Sequence, residues 1–280
     1  MVPTAAVLDV RGTPVDLRRA GSGPPLLYLH AGGGDSQWLP LFDRFAERYT
    51  VYHPSHPGFG QSGGLDHVDG IEDLVFHYLD VITALGLDVA PLNVAGSSFG
   101  GWVAVELAHR YPAAVGRLVL IDAAGLWLDE APMAEMFGNE PQEMARLLFH
   151  DQKHPLAVAM AAISDLSQLP EEVILPQFKA MEALARVAWN PYFHNPKLER
   201  RLDRITAPTL VVWGRQDRLI PLAHGERYAA RIPGARLAVI DNCGHLPALE
   251  RPDELYTLLM KFLDTAARAG ASAAATAPRH

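Results

Sequence analysis

The 280-residue chain is 49% hydrophobic and 20% charged, enough for one large globular α/β domain that carries an insertion. Its net charge of -8 speaks against a nucleic-acid partner, which would require a basic face. The single cysteine, Cys243, excludes an internal disulfide framework and suits a reducing compartment. No apolar run reaches the ~20 residues of a membrane span, and residues 1–10 lack the basic and apolar regions of a signal peptide, so the expectation is a cytoplasmic protein with no membrane partner.

Residues 4 to 20 alternate as two strands around an Arg11-Gly12-Thr13-Pro14 turn. Leu26-Leu27-Tyr28-Leu29-His30 then reads as a strand covered on both faces, and it runs into Ala31-Gly32-Gly33-Gly34-Asp35. Successive glycines there let backbone amides approach a ligand. A phosphate cradle would need a following Gly-Lys-Ser/Thr, which is missing. His30 and Asp35 fit an H-x-x-x-x-D acyltransferase spacing, but that pattern is permissive. The preferred reading is one wall of an oxyanion hole.

Gln37 to Tyr49 reads as a helix, Thr50 to His53 as a short strand and Pro54 to Ser62 as a rigid loop. His53, His56 and His67 carry no metal-ligand spacing, so structural or surface roles are expected and no metal or cofactor is called for. Ile71 to Leu85 has helical spacing and stops at Gly86.

Leu92 to Ser97 reads as a strand that meets a helical pattern, and Gly96-Ser97-Ser98-Phe99-Gly100 at the junction fits G-x-S-x-G. A serine at the apex of so tight a turn is strained, and a Cβ two residues to either side would strike the crossing backbone. The spacing selects Ser98 over Ser97 as nucleophile. The helix over 99–111 points its N-terminal amides, that of Phe99 first, at the same place. Leu118 to Asp122 is the next buried strand.

From 127 to 201 the strand rhythm stops and methionines and aromatics accumulate, which predicts a helical cap of 127–201 between two halves of the core, 1–126 and 202–266. Most of these residues serve the cap's own packing. Trp127, Met136, Phe137, Met144, Arg146 and Trp189, with Leu246 beyond the cap, are the candidates for a hydrophobic substrate pocket under a lid. Arg146 and Arg186 are further candidates to meet a substrate carboxylate. Strands resume at Pro208 to Trp213 and Arg236 to Ile240, separated by the loop 214–221 and a helix over 222–231. A last helix starts at Pro252 and fades near Ala266, and the Ala-rich stretch 267–280 is expected to be disordered.

Ser98, Asp217 and His245 each follow a predicted buried strand, in the chain order Ser, Asp, His. A serine hydroxyl needs a neutral imidazole to take its proton, and the imidazole needs an acid to fix its tautomer. Ser98 is therefore the expected nucleophile, His245 the base and Asp217 the orienting acid, with the oxyanion held by amides of Phe99 and of Gly32, Ala31 or Gly33. Asp122 also ends a strand and is an alternative acid. Asp241 lies too near His245 in sequence, and Cys243 is expected to pack its loop.

His30-Ala31-Gly32-Gly33, Gly58 to Ser62, Gly96 to Gly101, Gly214 to Pro221 and Gly244 to Pro252 resemble the signature blocks of the α/β-hydrolase superfamily. The resemblance implies a mostly parallel eight-stranded α/β-hydrolase sheet with a helical cap inserted after strand 6. Within the superfamily the chain is similar to cap-bearing serine esterases and to meta-cleavage-product hydrolases. The latter usually place asparagine before the nucleophile and tryptophan after the histidine, where this chain has Ser97 and Leu246, and Ala31 replaces the usual glycine after the loop histidine. Ser98 argues against the dehalogenases and epoxide hydrolases of this fold, which use aspartate. The expectation is a cofactor-independent carboxylesterase for a small-molecule substrate, with carbon-carbon hydrolysis of a dienoate as the alternative and a catalytically silent ligand receptor as a third reading. Subunit number stays open, a homodimer included.

Overall fold

The structure, a computed structural model, describes residues 2–33, 36–165 and 169–275, with side chains through Asp264. Asp35, and with it the His30–Asp35 spacing, lies outside the described residues. Strands β1 (Thr4–Val10), β2 (Thr13–Ala20), β3 (Pro25–Leu29), β4 (Thr50–Pro54), β5 (Leu92–Ser97), β6 (Val115–Ile121), β7 (Thr209–Gly214) and β8 (Arg236–Ile240) form one sheet. Their order is β1-β2-β4-β3-β5-β6-β7-β8. β1 pairs antiparallel with β2 and β2 with β4; every other pairing is parallel. The eight-stranded, mostly parallel architecture expected from the resemblance is thus what the chain forms.

The inner strands are apolar along their length because helices cover both faces. Leu27, Leu29, Val94, Leu118, Leu120 and Val211 pack with helices α2 (Ile71–Ala84), α3 (Phe99–Arg110) and α7 (Ala223–Arg231). Their alternate neighbours Leu26, Tyr28, Ala95, Val119, Ile121 and Val212 pack with α1 (Pro40–Ala46) and α9 (Pro252–Ala275), through Phe42, Phe45, Leu255 and Leu259.

Among the described residues three α-helices, α4 (Pro141–Leu148), α5 (Pro155–Ala161) and α6 (Glu171–Ala188), lie between β6 and β7, each opened by a proline at or just before its first turn. They form the cap after the sixth strand. A short helix, α8 (Pro247–Glu250), precedes α9. α1 is shorter than the 37–49 pattern, since Pro40 starts it. α9 corrects the expected tail: its backbone stays helical through Ala275, because the alanine-rich stretch lacks apolar periodicity but has high helix propensity. Residues 276–280 lie outside the described set. Among the described residues no helix is long and apolar enough to cross a membrane.

Because β3, β5, β6, β7 and β8 run parallel, the loops after them meet at one edge of the sheet. This edge is where parallel sheets bind ligands.

Candidate active site

The turn from β5 into α3 holds Ser98 at φ 51 and ψ -115, outside the regions open to ordinary residues. The surroundings impose this conformation. The Ser98 N–H donates to Ile121 O at 2.8 Å, and its carbonyl accepts from Trp102 and Ala124 N–H, each at 3.1 Å. A Cβ on Gly96 would stand 2.3 Å from Gly100 O, and one on Gly100 2.2 Å from Leu29 O. Both glycines of G-x-S-x-G are therefore required by backbone that crosses at contact distance. Ser97 ends β5, buried and outside the polar relay.

Ser98 Oγ lies 2.9 Å from His245 Nε2, and His245 Nδ1 lies 2.7 Å from Asp217 Oδ2. The carboxylate makes Nδ1 the protonated nitrogen, which leaves Nε2 to accept the serine proton. Asp217 is fixed through its other oxygen, Oδ1, which accepts the N–H groups of Leu219 and Ile220 at 2.9 Å each. His245 is held by the cap as well as by the core: its N–H donates to Leu148 O at 2.8 Å, at the end of α4. Glu250 ties the same loop to the cap, taking Gly244 N–H on Oε2 at 2.6 Å and Asp151 N–H on Oε1 at 2.8 Å. All three relay side chains are buried. Asp241 instead pairs with Arg215 at the exposed surface. Cys243 is fully buried, and burial pushes its thiol far up, away from any thiolate.

On the opposite side of Ser98, Phe99 opens α3, so its amide belongs to the first turn, where no intrahelical acceptor exists. Ala31 and Gly32 follow β3 beside it, and Gly100 sits against the carbonyls of Leu29 and His30. Gly33 is exposed at the outer end of this loop. A buried histidine frame supports it. The His56 amide donates to His30 Nε2 at 3.0 Å, so His30 carries its proton on Nδ1, 2.6 Å from Ala31 O. His56 Nε2 donates to His30 O at 2.7 Å, and Tyr78 on α2 supplies its hydroxyl to His56 Nδ1. His53 stacks within the same group of rings, whereas His67 is exposed. Burial lowers His30 strongly and takes His56 down to about 3, so both rings are neutral. Sequence reasoning set His53 and His56 aside from metals but found no partner for them; Tyr78, at an ordinary apolar position of a helical pattern, gave no signal.

The cap seats α6 on the site. A Cβ on Gly32 would meet Leu184 Cδ1 at 2.7 Å, and one on Gly58 would meet Ala183 at 2.8 Å. Leu184 was not among the expected pocket residues, and several that were turn elsewhere. Arg146 is exposed and paired with Glu143 at 3.0 Å, and Trp189 is 64% exposed, lying against Phe137. Trp127 is 39% exposed, with its indole N–H on Asp129. These three are corrected to surface positions: α6 turns Ala183, Leu184, Val187 and Ala188 inward and α4 turns Ala145 inward, while Arg146 lies on the open side of α4 and Trp189 follows the end of α6. Met136 and Phe137 pack around Tyr192 and Phe193, Met144 is partly buried, and Leu246 packs with Phe149 and Ala157. Arg186 reaches Leu65 O from an exposed position. Among the described residues one group of side chains is compact enough to hold an ion, Asp122, Asp217 and His245, and His245 Nδ1 is already committed to Asp217.

A strained serine at a strand-to-helix elbow, an imidazole within hydrogen-bond reach of it and a buried acid behind that ring define a fold and site of hydrolase class. The model of the Alpha/beta hydrolase family matches residues 26–258, and the chain belongs to that family. It is 30% identical over 274 residues to the 2-hydroxy-6-oxo-6-phenylhexa-2,4-dienoate hydrolase of Burkholderia cepacia, covering 89% of this chain and 91% of that protein. It is 29% identical over 276 residues to a 2-hydroxy-6-oxononadienedioate/2-hydroxy-6-oxononatrienedioate hydrolase of Comamonas testosteroni, covering 89% and 91%. Among solved structures, a membrane phospholipase A described as a bacterial virulence factor superposes with a TM-score of 0.75 at 26% identity, covering 94% of this chain and 86% of the other. The 2-hydroxy-6-oxo-6-phenylhexa-2,4-dienoate hydrolase of Rhodococcus sp. strain RHA1 has a TM-score of 0.77 at 23% identity, covering 94% and 99%, and shares the fold.

Proposed function

We propose that the protein is a serine hydrolase that cleaves small carboxylic esters through an acyl-enzyme on Ser98. The observation that carries this is the unbroken hydrogen-bonded line from Ser98 Oγ through His245 to Asp217. His245 Nε2 takes the serine proton as Oγ attacks the carbonyl, and Asp217 stabilises the imidazolium that forms. The oxyanion develops between the Phe99 amide and the amides of the Ala31–Gly32 loop, each donor worth ~3 kcal/mol of transition-state stabilisation. The imidazolium then protonates the departing alcohol, and a water activated by the same ring releases the acid. No cofactor enters the scheme.

Carbon-carbon hydrolysis of a dienoate by the same three residues is the second reading, supported by the dienoate hydrolase at 30% identity. A dienoate brings a carboxylate that favours a cation beside it, and the cap arginines Arg146 and Arg186 are exposed and engaged elsewhere. The side chain over Gly32 is that of Leu184, which suits a neutral apolar acyl group. The test is turnover of short p-nitrophenyl esters against a ring-fission dienoate, with Ser98→Ala as control. Loss of about 10⁶ in kcat is expected for the variant, and an unchanged rate removes Ser98 from the mechanism. Dienoate turnover far above ester turnover selects the second reading, and binding of either without turnover selects a ligand receptor.

A further inference from the structure

Asp122 is the buried acid that the relay leaves unused. It follows β6 at φ 44, a positive φ that aspartate tolerates better than most residues, and is fully buried. Oδ1 accepts the Gly214 N–H at 2.8 Å, while Oδ2 is buried with no donor among the described residues. An Asp122 oxygen, an Asp217 oxygen and a ring nitrogen of His245 all lie within 4.8 Å of one another. The titratable groups around Asp122 are Asp217 from the loop after β7, Glu250 from α8, and Cys243 and His245 from the loop after β8. Arg251, which follows Glu250 in the chain, is the permanent cation that acts on this cluster, through Cys243.

Two ionised carboxyls this close in a buried site repel each other, and one then keeps its proton. The hydrogen bonds decide which. Asp217 accepts two amide N–H groups on Oδ1 and the imidazole N–H on Oδ2, so both of its oxygens already have donors. Asp122 accepts one amide and has a bare oxygen. A proton on that bare oxygen removes the unsatisfied acceptor and supplies a donor toward the Asp217 carboxylate. Burial first, and then the Asp217 charge, raise Asp122 well above the usual carboxylate range.

We propose that Asp122 is a positioning residue and a reserve acid for the relay: as a neutral carboxylic acid it steadies Asp217 against His245, and it ionises to support His245 when Asp217 carries no charge. In the second state the Asp122 proton leaves to solvent, so the buried pair keeps one negative charge throughout. The kinetic part of this inference rests on the serine-hydrolase reading; the protonation of Asp122 does not.

The experiment compares the wild type, Asp122→Asn, Asp217→Asn and the double variant, by p-nitrophenyl acetate turnover against pH and by fluorophosphonate labelling of Ser98. Removing the orienting acid of such a relay costs about 10⁴ in kcat. With a reserve acid, Asp217→Asn is expected to lose only about 10²-fold and to gain a limb that rises with pH, as Asp122 ionises. Asp122→Asn is expected to cost roughly three- to tenfold alone and about 100-fold in the Asp217→Asn background, where the rising limb disappears; such non-additivity marks coupled groups. Equal factors in both backgrounds, or an Asp217→Asn profile parallel to the wild type, overturn the reserve role. Infrared spectroscopy at neutral pH supplies the independent arm. The C=O stretch of a protonated carboxylic acid, present in the wild type and absent from Asp122→Asn, supports the proton on Asp122, and its absence from the wild type refutes it whether or not the variants fold. Neither turnover nor labelling in a wild type that shows the band would count against the serine-hydrolase reading alone.

Discussion

The glycines of the sheet edge and those under the cap are confined by different kinds of neighbour. Gly96, Gly100 and Gly214 face backbone carbonyls of Gly100, Leu29 and Gly244, which a Cβ would approach to 2.3, 2.2 and 2.0 Å. Gly32 and Gly58 face the side chains of Leu184 and Ala183 on α6. A carbonyl in a hydrogen-bonded crossing cannot yield without dismantling the strand that holds it, whereas the end of a leucine has other rotamers. The positions of Ser98, Asp217 and His245 are therefore set rigidly, while the space above them is set by a helix that can be repacked. The buried histidines divide the same way: His30 and His56 are fully buried on the core side, whereas the cap residues His150 and His154 are only partly buried.

Acid is expected to separate the two regions most. Burial lowers His56 to about 3 and His77 to about 4, and lowers His30 strongly, whereas the unfolded chain takes up these protons near pH 6.5. Between the folded and unfolded values the unfolded state binds more protons, so stability is full above about pH 6.5 and falls as pH falls. Each such histidine contributes a slope of about 1.4 kcal/mol per pH unit. Urea unfolding between about pH 7.5 and about pH 5 measures it. A flat profile over that range would mean that these rings are not buried and neutral.

Gly100→Ala is next in size. Its Cβ would strike the carbonyl oxygens of Leu29 and His30, and the expected cost is roughly 3 kcal/mol or more, with loss of activity because the elbow must open. Gly32→Ala pushes on the end of the Leu184 side chain, Cδ1 first and then Cδ2, and is expected to cost under about 1 kcal/mol. Thermal unfolding of the pair checks both values, and equal costs would erase the distinction between rigid core and adjustable cap. Tyr78→Phe follows. It leaves His56 Nδ1 as a buried acceptor without a donor, for about 1–2 kcal/mol. Since His56 holds the carbonyl of His30, a fall in kcat with little change in KM is the expected sign of a loosened oxyanion loop.

This division also explains what the sequence made legible. G-x-S-x-G, the strand ends and the order of Ser98, Asp217 and His245 are readable because backbone crossings permit only certain residues, and the crossings recur at fixed offsets from the strands. The role of Tyr78 was not readable: its hydroxyl meets a histidine 22 positions away, and its own helix places it like any other apolar residue. Leu184 was hidden for the complementary reason. Within the cap, composition indicated an apolar lining, but which face of α6 meets the core depends on packing between helices, and the conspicuous Trp189 points to solvent while Leu184 is buried. Asp122 shows both limits at once, since its strand-end position announces it and only its neighbours reveal which acid orients His245.

The smallest expected effects test the cap. Arg146→Ala removes an exposed pair with Glu143, and Trp189→Ala removes a ring whose main contact is Phe137. Exposed ion pairs contribute roughly 0–1 kcal/mol, and substitutions at so open a surface stay near 0.5 kcal/mol. Neither variant should change kcat/KM on a p-nitrophenyl ester by more than about twofold, a change of about 0.4 kcal/mol. The informative case is Arg146→Ala with a dienoate as substrate. If the cap swings this arginine inward to meet the carboxylate, KM rises at least tenfold for the dienoate and not for the ester, and the outward Arg146 seen here is one state of a moving lid. If KM for the dienoate stays put, recognition of a carboxylate falls to the core side, and the cap contributes apolar contact alone.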